Sequence, residues 1–275
     1  MQGSSPRRPR SKRNTRSTGV AGSHTVSPVR AFLLALLAAA GVVPAARAQD
    51  RFEIQVYDAE TATPGEIGLE THLNSVLTGR RTTSPEGEAP THRVFHATLE
   101  PHLGVTDFME LGMYLQSAVR PGFGYDWAGF KLRAKVRAPT SGWLKLGLNG
   151  EVSFIPKRFE AAGTGGELRP IAEGAFGPLT LGVNPIVGFT FDNGVHADLE
   201  PCARALMRLA PWLSAGAEYY SSLGPIDGLL PASEQVHRVF GVVELYSGHL
   251  DVNFGIGGGT GDDSFLAKAI LTVRP

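Results

Sequence analysis

The sequence predicts an all-β protein: a twelve-stranded antiparallel transmembrane β-barrel of the bacterial outer membrane, preceded by a signal peptide. Three observations lead to this prediction. The chain begins with an export signal, apolar and polar residues alternate repeatedly from Gly65 onward, and the predicted connections sort into short and long ones by parity. Alternation with a period of two places successive side chains on opposite faces of a strand. One face can then meet lipid while the other lines a polar interior.

Residues 1–48 are predicted to be a signal peptide with a long basic leader. They hold eight Lys or Arg and no Asp or Glu, and an apolar run from Ala31 precedes Ala46-Arg47-Ala48. A basic region, an apolar region and a small-residue end form a secretory signal, so we expect cleavage after Ala48 and export. The true start is open, with a later residue such as Val26 as an alternative. A retained anchor helix is the other alternative, and the apolar run is short for a span of about 20 residues.

The remaining chain is acidic and has one cysteine. Without residues 1–48 its formal net charge is −8, which argues against nucleic acid as a partner. Cys202 is the single cysteine of the sequence, so no internal disulfide is expected. No later run of 18 apolar residues follows, so no transmembrane helix is expected after the signal.

Twelve alternating stretches make up the predicted barrel domain, residues 65–275. They are 66–77, 93–103, 108–117, 127–137, 143–154, 168–176, 179–191, 196–208, 213–221, 236–246, 250–257 and 265–274. Phe52–Tyr57 alternates as well, but a thirteenth strand would break the even number of bacterial single-chain barrels. We therefore assign residues 49–64 to a periplasmic N-terminal segment. Four prolines inside predicted strands imply bulges or strand ends: Pro101, Pro170, Pro185 and Pro201.

The connections support a membrane barrel over a soluble sandwich. Every even-numbered connection is short, and the longest ones, 78–92, 155–167 and 222–235, are all odd-numbered. Outer-membrane barrels have tight periplasmic turns and longer outer loops, whereas a sandwich has no reason to sort its loops by parity. Both ends of the barrel domain are therefore expected in the periplasm.

Aromatic residues at the strand ends predict two interface girdles, as in membrane barrels. Beside the short turns lie Phe108, Trp143, Phe176, Trp212 and Tyr246, and at the opposite ends lie Phe154, Phe191, Tyr219 and Tyr220. The alternative is that strand ends of any β protein carry aromatic residues.

Most of this region resembles the outer-membrane family named for the meta-pathway of phenol degradation. The resemblance covers most of Gly65–Val273 and rests on the closing hairpin, on Gly104–Asp107 before Phe108–Gly112, and on His237–Leu245. It implies an outer-membrane barrel assigned to transport of hydrophobic or aromatic compounds. The sequence departs from outer-membrane barrels in general at its end, where Val273-Arg274-Pro275 stands instead of a final aromatic residue.

Charged residues are concentrated on the predicted lumen face. The basic ones form a stripe on two neighbouring strands: Lys131, Arg133, Lys135, Arg137 and Lys145. The acidic ones form a larger set: Glu100, Glu110, Glu151, Glu173, Asp198, Glu200, Glu218 and Glu244. One interpretation is that these charges pair and fill a narrow interior. The other is a pore whose opposed charges set its preference for ions or solutes.

No metal, cofactor or catalytic residue is predicted. Glu70, His72, His96, Glu100 and His102 fall on the lumen face of the first two strands, but their spacing matches no tight ligand motif. An ordinary polar lining is therefore the favoured interpretation. Ser247 and His249 flank a short turn, no serine lies in a G-x-S-x-G motif, and the glycine run at 257–261 lacks the Lys-Ser/Thr of a phosphate loop.

The functional expectation is a channel or transporter for small molecules, with hydrophobic or aromatic compounds as one option. Outer-membrane lipid, the outer-membrane assembly machinery and a small hydrophobic solute are the expected partners. Two alternatives stay open. One is a closed barrel with a structural or surface-recognition role, and the other is an exported soluble β-barrel that binds a ligand.

Overall fold

The computed structural model describes residues 50–140, 142–192 and 194–273, which form a closed barrel of twelve antiparallel strands. The predicted signal peptide and the last two residues lie outside the described residues. The strands are β1 (Ile67–Thr78), β2 (Phe95–Thr106), β3 (Met109–Arg120), β4 (Gly124–Arg137), β5 (Leu144–Phe154), β6 (Thr164–Phe176), β7 (Leu179–Asn184 and Val187–Thr190), β8 (His196–Leu199 and Cys202–Ala210), β9 (Leu213–Ser222, extended by Gly224–Pro225), β10 (Val236–Tyr246), β11 (Leu250–Gly259) and β12 (Phe265–Val273).

Each strand pairs with the next along the chain, and the first pairs with the last. Leu69 of β1 lies opposite Val273 of β12, and the ladder continues to Val76 opposite Leu266. This pairing of the first strand with the last closes the barrel, as a spanning β structure in lipid requires. The predicted barrel of twelve antiparallel strands is confirmed, and the predicted bounds of most strands differ from the observed ones by a few residues.

Burial is inverted relative to a soluble protein. Lys131, Arg133 and Lys135 of β4 are each less than a tenth exposed, whereas Leu132 between them is 50% exposed. The same contrast recurs around the barrel: large apolar side chains such as Leu99 and Phe254 lie on the outer face. An apolar outer band around a polar interior is the arrangement that lipid selects.

Proline accounts for the irregular part of the wall. β7 breaks at Pro185 and β8 breaks at Pro201, because each proline lacks the N–H that the ladder needs. The β6–β7 ladder likewise skips residues 169–171, which include Pro170. Pro101 is opposite Leu69 of β1 but is passed over in the ladder between β2 and β3.

The connections at the two ends of the barrel differ in length. At one end, the short-turn end, lie residues 107–108, 138–143, 177–178, 211–212 and 247–249; at the other, the long-loop end, lie 79–94, 121–123, 155–163, 191–195, 226–235 and 260–264. Residues 121–123 are tighter than predicted because β4 begins at Gly124. Gly122 and Gly124 both have a positive φ, which glycine adopts without steric penalty.

Residues 50–64, here called the luminal segment, run through the inside of the barrel. The prediction of a periplasmic position was wrong for residues 50–59, which lie inside the barrel, whereas Glu60, Thr63 and Pro64 are exposed at the short-turn end. The segment pairs with no strand, yet its apolar side chains Phe52, Ile54 and Val56 are 2–5% exposed. Burial of these side chains, together with ion pairs to the basic stripe, favours the interior over water. Within the described ranges, no helix has the length and apolar character to cross a membrane.

Candidate functional site

The luminal segment crosses the barrel from one end to the other. Arg51 contacts Asp263 in the connection 260–264 at the long-loop end. Glu60 contacts Lys145 beside the turn 138–143. Beyond this point, the backbone N–H of Gly65 donates to the carbonyl of Gly104, 2.8 Å away, near the turn 107–108. The chain then turns back into β1.

Side chains of the wall bind the backbone of the luminal segment. The donors reach its carbonyls from strands on several sides of the barrel: Asn74 to Arg51 at 3.0 Å, Thr98 to Phe52 at 3.1 Å, Lys268 to Ile54 at 3.0 Å, Arg169 to Gln55 at 3.3 Å and Arg204 to Val56 at 3.3 Å. Asn184 binds Tyr57 twice, accepting from its N–H at 2.7 Å and donating to its carbonyl at 3.2 Å. These bonds satisfy backbone groups that would otherwise be buried without partners.

The acidic side chains of the segment meet the predicted basic stripe one after another. The pairs are Asp50 with Lys131 at 2.6 Å, Glu53 with Lys131 at 3.2 Å, Asp58 with Lys135 at 3.1 Å, Glu60 with Arg137 at 3.3 Å, and Glu60 with Lys145. A buried cation is tolerated only when it is paired. The stripe therefore serves first as the binding surface for the segment.

A compact polar cluster lies midway along the lumen. The Tyr57 and Tyr114 hydroxyls contact each other, and Glu151 lies within 3.3 Å of the Tyr57 hydroxyl oxygen. Lys131 and Asn149 bind the two oxygens of Glu151 at 3.2 and 2.8 Å. Tyr114 and Asn149 are fully buried, so the cluster fixes the segment to β3, β4 and β5.

At the long-loop end, the luminal segment is held by a group of three residues, Arg51, Thr91 and Asp263, here called the Asp263 clamp. The Asp263 carboxylate accepts hydrogen bonds from Arg51 and from the Thr91 hydroxyl. Burial alone would raise the pKa of Asp263, but the Arg51 guanidinium, those two hydrogen bonds and nearby Arg238 hold this pKa below its usual value. The Asp263 carboxyl group is therefore ionised at neutral pH.

Most of the predicted acidic residues are paired inside the barrel, two of them with Arg133 of the basic stripe and others with cations outside the predicted set. Arg133 binds Glu100 and Glu110 at 2.6 Å each. Glu173 pairs with Arg204, and Glu218 pairs with Lys268. Glu244 accepts from Asn253 and Tyr246, while Glu200 and Asp198 are half-buried near the break in β8. Arg169, Arg204 and Lys268 each lie between two apolar residues in the sequence, and this alternation is the signal that could have placed them on the lumen face.

The predicted aromatic girdles fit the outer face at most positions. Phe108, Trp143, Phe176 and Trp212 are 48–58% exposed at the short-turn end, and Phe154, Phe191 and Tyr219 are 38–48% exposed at the other. Two predictions were wrong. The hydroxyl of Tyr246 binds Glu244 on the lumen side, and Tyr220 is 1% exposed beside Phe240. Both share the inward parity of their acidic neighbours Glu244 and Glu218.

Glu70, His72 and Glu100 come together in the structure, whereas His96 and His102 do not join them. His72 Nε2 lies 3.0 Å from Glu100 Oε2 and 3.2 Å from Glu70 Oε1. His96 lies outside this cluster and makes an edge-to-face contact with Phe52, with 4.7 Å between the two ring centroids. His102 lies against Gly68, nearer the short-turn end.

Little space is left beside the luminal segment near Phe52, at the long-loop end. A cavity of about 10 Å³ lies there between Phe52, Val94 and Phe159, which is room for roughly one water molecule. The segment and its neighbours Val94 and Phe159 fill most of the space at this place.

Comparison with known proteins places the fold. No family model and no curated protein matches the sequence. The structure is similar to the crystal structure of an outer membrane channel from Pseudomonas putida F1, with a TM-score of 0.52, 12% identity, and coverage of 80% of this chain and 99% of that one. It is also similar to the porin NanC, with a TM-score of 0.51, 7% identity, and coverage of 76% and 98%. At these identities the likeness is one of fold: an outer-membrane β-barrel. Together with the apolar outer face, it supports an outer-membrane location.

Proposed function

We propose that this protein is an outer-membrane channel for small molecules that the luminal segment closes. The observation that carries the proposal is the way in which the segment is held. It makes no strand pairing with the wall, and its contacts are side-chain hydrogen bonds, ion pairs and apolar packing. Such contacts can break one by one without opening the barrel ladder, so the segment can move while the wall stays intact.

The solute class we propose is small hydrophobic or aromatic molecules. Its supports are the sequence resemblance to the meta-pathway family and the apolar patches along the interior. One patch joins Phe52 to Val94, Ala118 and Ala128 near the long-loop end. Another joins Ile54 and Val56 to Tyr220 and Phe240. Moving the segment would expose these patches, and apolar surface favours an apolar solute.

We propose transport without catalysis. The hydroxyl of Ser247, beside His249, donates to the carbonyl of Leu250 at 2.7 Å across the turn 247–249. A hydroxyl used in this way stabilises a turn. His249, two residues on, donates its backbone N–H to the Ser247 carbonyl in the same turn.

Solute flux into liposomes tests the channel proposal. We expect slow flux of small neutral solutes through the chain from Gln49 onward, and much faster flux through a variant that lacks residues 50–60. Both proteins must first show heat-modifiable migration on a gel, which reports a closed barrel. Equally slow flux through both would contradict the proposal, because the barrel would then be closed without the segment.

The single cysteine offers a second test on the unmodified chain. Cys202 is 2% exposed, belongs to the apolar cluster with Ile54 and Val56, and lies 3.7 Å from the Asn184 oxygen that binds Tyr57. A thiol reagent reaches it only if the segment moves. We expect slow labelling in the intact chain and rapid labelling without residues 50–60. Protection that persists after the deletion would place the barrier in the wall.

The second candidate is the closed barrel with a structural or recognition role. The observation that favours it is the density of buried pairs around Lys131, which contacts Asp50, Glu53 and Glu151. A segment held this firmly can be a permanent part of the core, with the predicted outer loops 78–92, 155–167 and 222–235 as the recognition surface. Slow flux together with unlabelled Cys202 under all folded conditions would favour this function.

A further inference from the structure

Glu70, His72 and Glu100 form a cluster inside the barrel whose ligand atoms lie close enough together to bind a cation. Glu70 and His72 are two residues apart on β1 and so face the same way, and Glu100 lies directly opposite Glu70 on β2. Two carboxylates directly opposite each other repel. Glu100 and His72 are 0–3% exposed as side chains and Glu70 is 15% exposed, so little water screens that repulsion.

The imidazole of His72 lies within hydrogen-bonding distance of one oxygen of Glu70 and one oxygen of Glu100. Both distances, 3.0 Å to Glu100 Oε2 and 3.2 Å to Glu70 Oε1, run from the same nitrogen, His72 Nε2. A single N–H can make a nearly linear hydrogen bond to only one of the two oxygens. A cation between the three atoms would contact all of them. With bonds of about 2.0–2.1 Å, tetrahedral zinc ligands lie about 3.3 Å apart, close to the separations found.

The second oxygen of each carboxylate is already fixed. Glu70 Oε2 accepts from the Thr272 hydroxyl at 2.8 Å, and Glu100 Oε1 accepts from Arg133 Nε at 2.6 Å. Metal-binding carboxylates are oriented in this way by outer hydrogen bonds. The oxygens nearest to His72, Glu70 Oε1 and Glu100 Oε2, are the ones that Thr272 and Arg133 do not hold.

The luminal segment supplies a fourth group. Gln55 Nε2 donates to Glu70 Oε1 at 2.8 Å, and Gln55 Oε1 is a buried oxygen without a hydrogen-bond partner among the described residues. The two ends of an amide side chain are nearly the same in shape. Turning the amide over would bring its oxygen to the side of Glu70 Oε1, where it can bind the same ion, and would put the NH2 group where the unpaired oxygen now lies.

We propose that Glu70, His72, Glu100 and Gln55 bind one divalent transition-metal ion of the zinc type. One imidazole nitrogen and three oxygens suit Zn²⁺ and Co²⁺ better than Ca²⁺ or Mg²⁺, which prefer oxygen ligands alone. The ion would replace the His72 proton and offset the charge of the two carboxylates. It would also tie the luminal segment to β1 and β2, and this consequence alone rests on the proposed closure by the segment.

Titration of the metal-free, folded chain with Co²⁺ tests the site. We expect visible d–d absorption that saturates at about one Co²⁺ per barrel and is displaced by Zn²⁺. His72→Gln and Glu70→Gln should abolish it, Gln55→Ala should weaken binding at least about tenfold, and His96→Gln, a matched buried histidine outside the cluster, should bind as the wild type does.

Two outcomes would overturn the site. One is a wild-type chain that takes up no Co²⁺ to saturation. The other is a Glu70→Gln variant that keeps the wild-type spectrum and affinity, which would assign the ion to exposed histidines such as His237 and His249. Glu70→Gln is nearly isosteric and keeps the test available if His72→Gln does not fold. Because absorption reads ion binding directly, this result is independent of the flux measurement.

Discussion

Glu53 of the luminal segment lies 3.2 Å from the ammonium of Lys131, and both side chains are almost completely buried inside the barrel. Glu53 also lies 3.4 Å from Arg169 on β6. The pair therefore joins a segment outside the sheet to two strands of the wall. Buried ions of this kind are stable only as a set, because each one alone would lose its hydration without compensation.

Removing Lys131 should strongly destabilise the closed form. In Lys131→Met, Asp50, Glu53 and Glu151 lose their common cation, and breaking a buried pair costs about 3–5 kcal/mol. Equilibrium unfolding in urea should show this loss. The double variant Glu53→Gln with Lys131→Met should recover part of it, since one of the unpaired carboxylates is then neutral.

Arg137→Met is the matched control for that experiment. Arg137 and Glu60 form an ion pair in which both side chains are more than two-fifths exposed. Exposed pairs contribute about 0–1 kcal/mol. An equal loss in Arg137→Met and Lys131→Met would show that burial of the pair is not what stabilises the segment.

A methyl group at Gly104 should push the end of the segment away. A Cβ there would lie 2.0 Å from the Thr63 carbonyl oxygen, and a backbone atom cannot give way as a flexible side chain can. We expect Gly104→Ala to speed thiol labelling of Cys202 while heat-modifiability persists. Gly241→Ala is the control, because a Cβ at Gly241 meets nothing within 4 Å. Identical labelling rates in both variants would contradict this prediction.

The sequence predicted the wall well and the interior poorly, for one physical reason. Alternation such as Lys131-Leu132-Arg133 is local, so it reveals the strand and its two faces. The interior depends on which distant side chains meet: the basic stripe was found, but its partners Asp50, Glu53 and Asp58 lie in a stretch that was assigned to the periplasm. The alternation of Phe52–Tyr57 indicated burial. The even strand number correctly excluded a thirteenth strand, but it does not distinguish a periplasmic position of this stretch from a position in the lumen.

Tyr246 and Pro185 show two further limits of local pattern. Tyr246 lies at a strand end, where a girdle is expected, yet its parity is that of Glu244, and parity decides the face. Pro185 was predicted to cause a bulge or a strand end within the strand 179–191, but the pattern did not say which. The structure divides that strand at Asn184, because proline cannot donate to the ladder. The side-chain cluster around His72 depends on the register between β1 and β2, which no single strand reveals.

A charge on the outer face should impair the barrel. Leu132 is 50% exposed on the outer face of β4, and an arginine facing lipid costs up to about 2–4 kcal/mol, depending on its depth in the bilayer. We expect Leu132→Arg to lower the yield of heat-modifiable protein and its urea midpoint. Ile226→Arg, the same change at a 57% exposed position in the long-loop connection 226–235, should be tolerated. Equal effects at both positions would argue against lipid contact at Leu132.

Acid should loosen the Asp263 clamp at the long-loop end. The pKa of Asp263 lies below its usual value because Arg51 and Thr91 stabilise the carboxylate against the effect of burial. A carboxyl group of this kind adds stability that is complete above the unfolded pKa of about 3.9 and disappears as pH falls through the lower folded pKa. Wild type should therefore lose more stability between pH 6 and pH 3 than Asp263→Asn does, because the amide has no charge to lose.

The neighbouring residue provides the control for this pH effect. The Asp262 side chain is 66% exposed, although it lies 3.2 Å from Arg80, so its pair is screened by water. Asp262→Asn should keep the wild-type loss between pH 6 and pH 3, measured as the shift in the urea midpoint. If Asp262→Asn and Asp263→Asn lose equal stability over this interval, the contact between Arg51 and Asp263 is not the acid-sensitive element, and the other buried carboxylates must account for the effect.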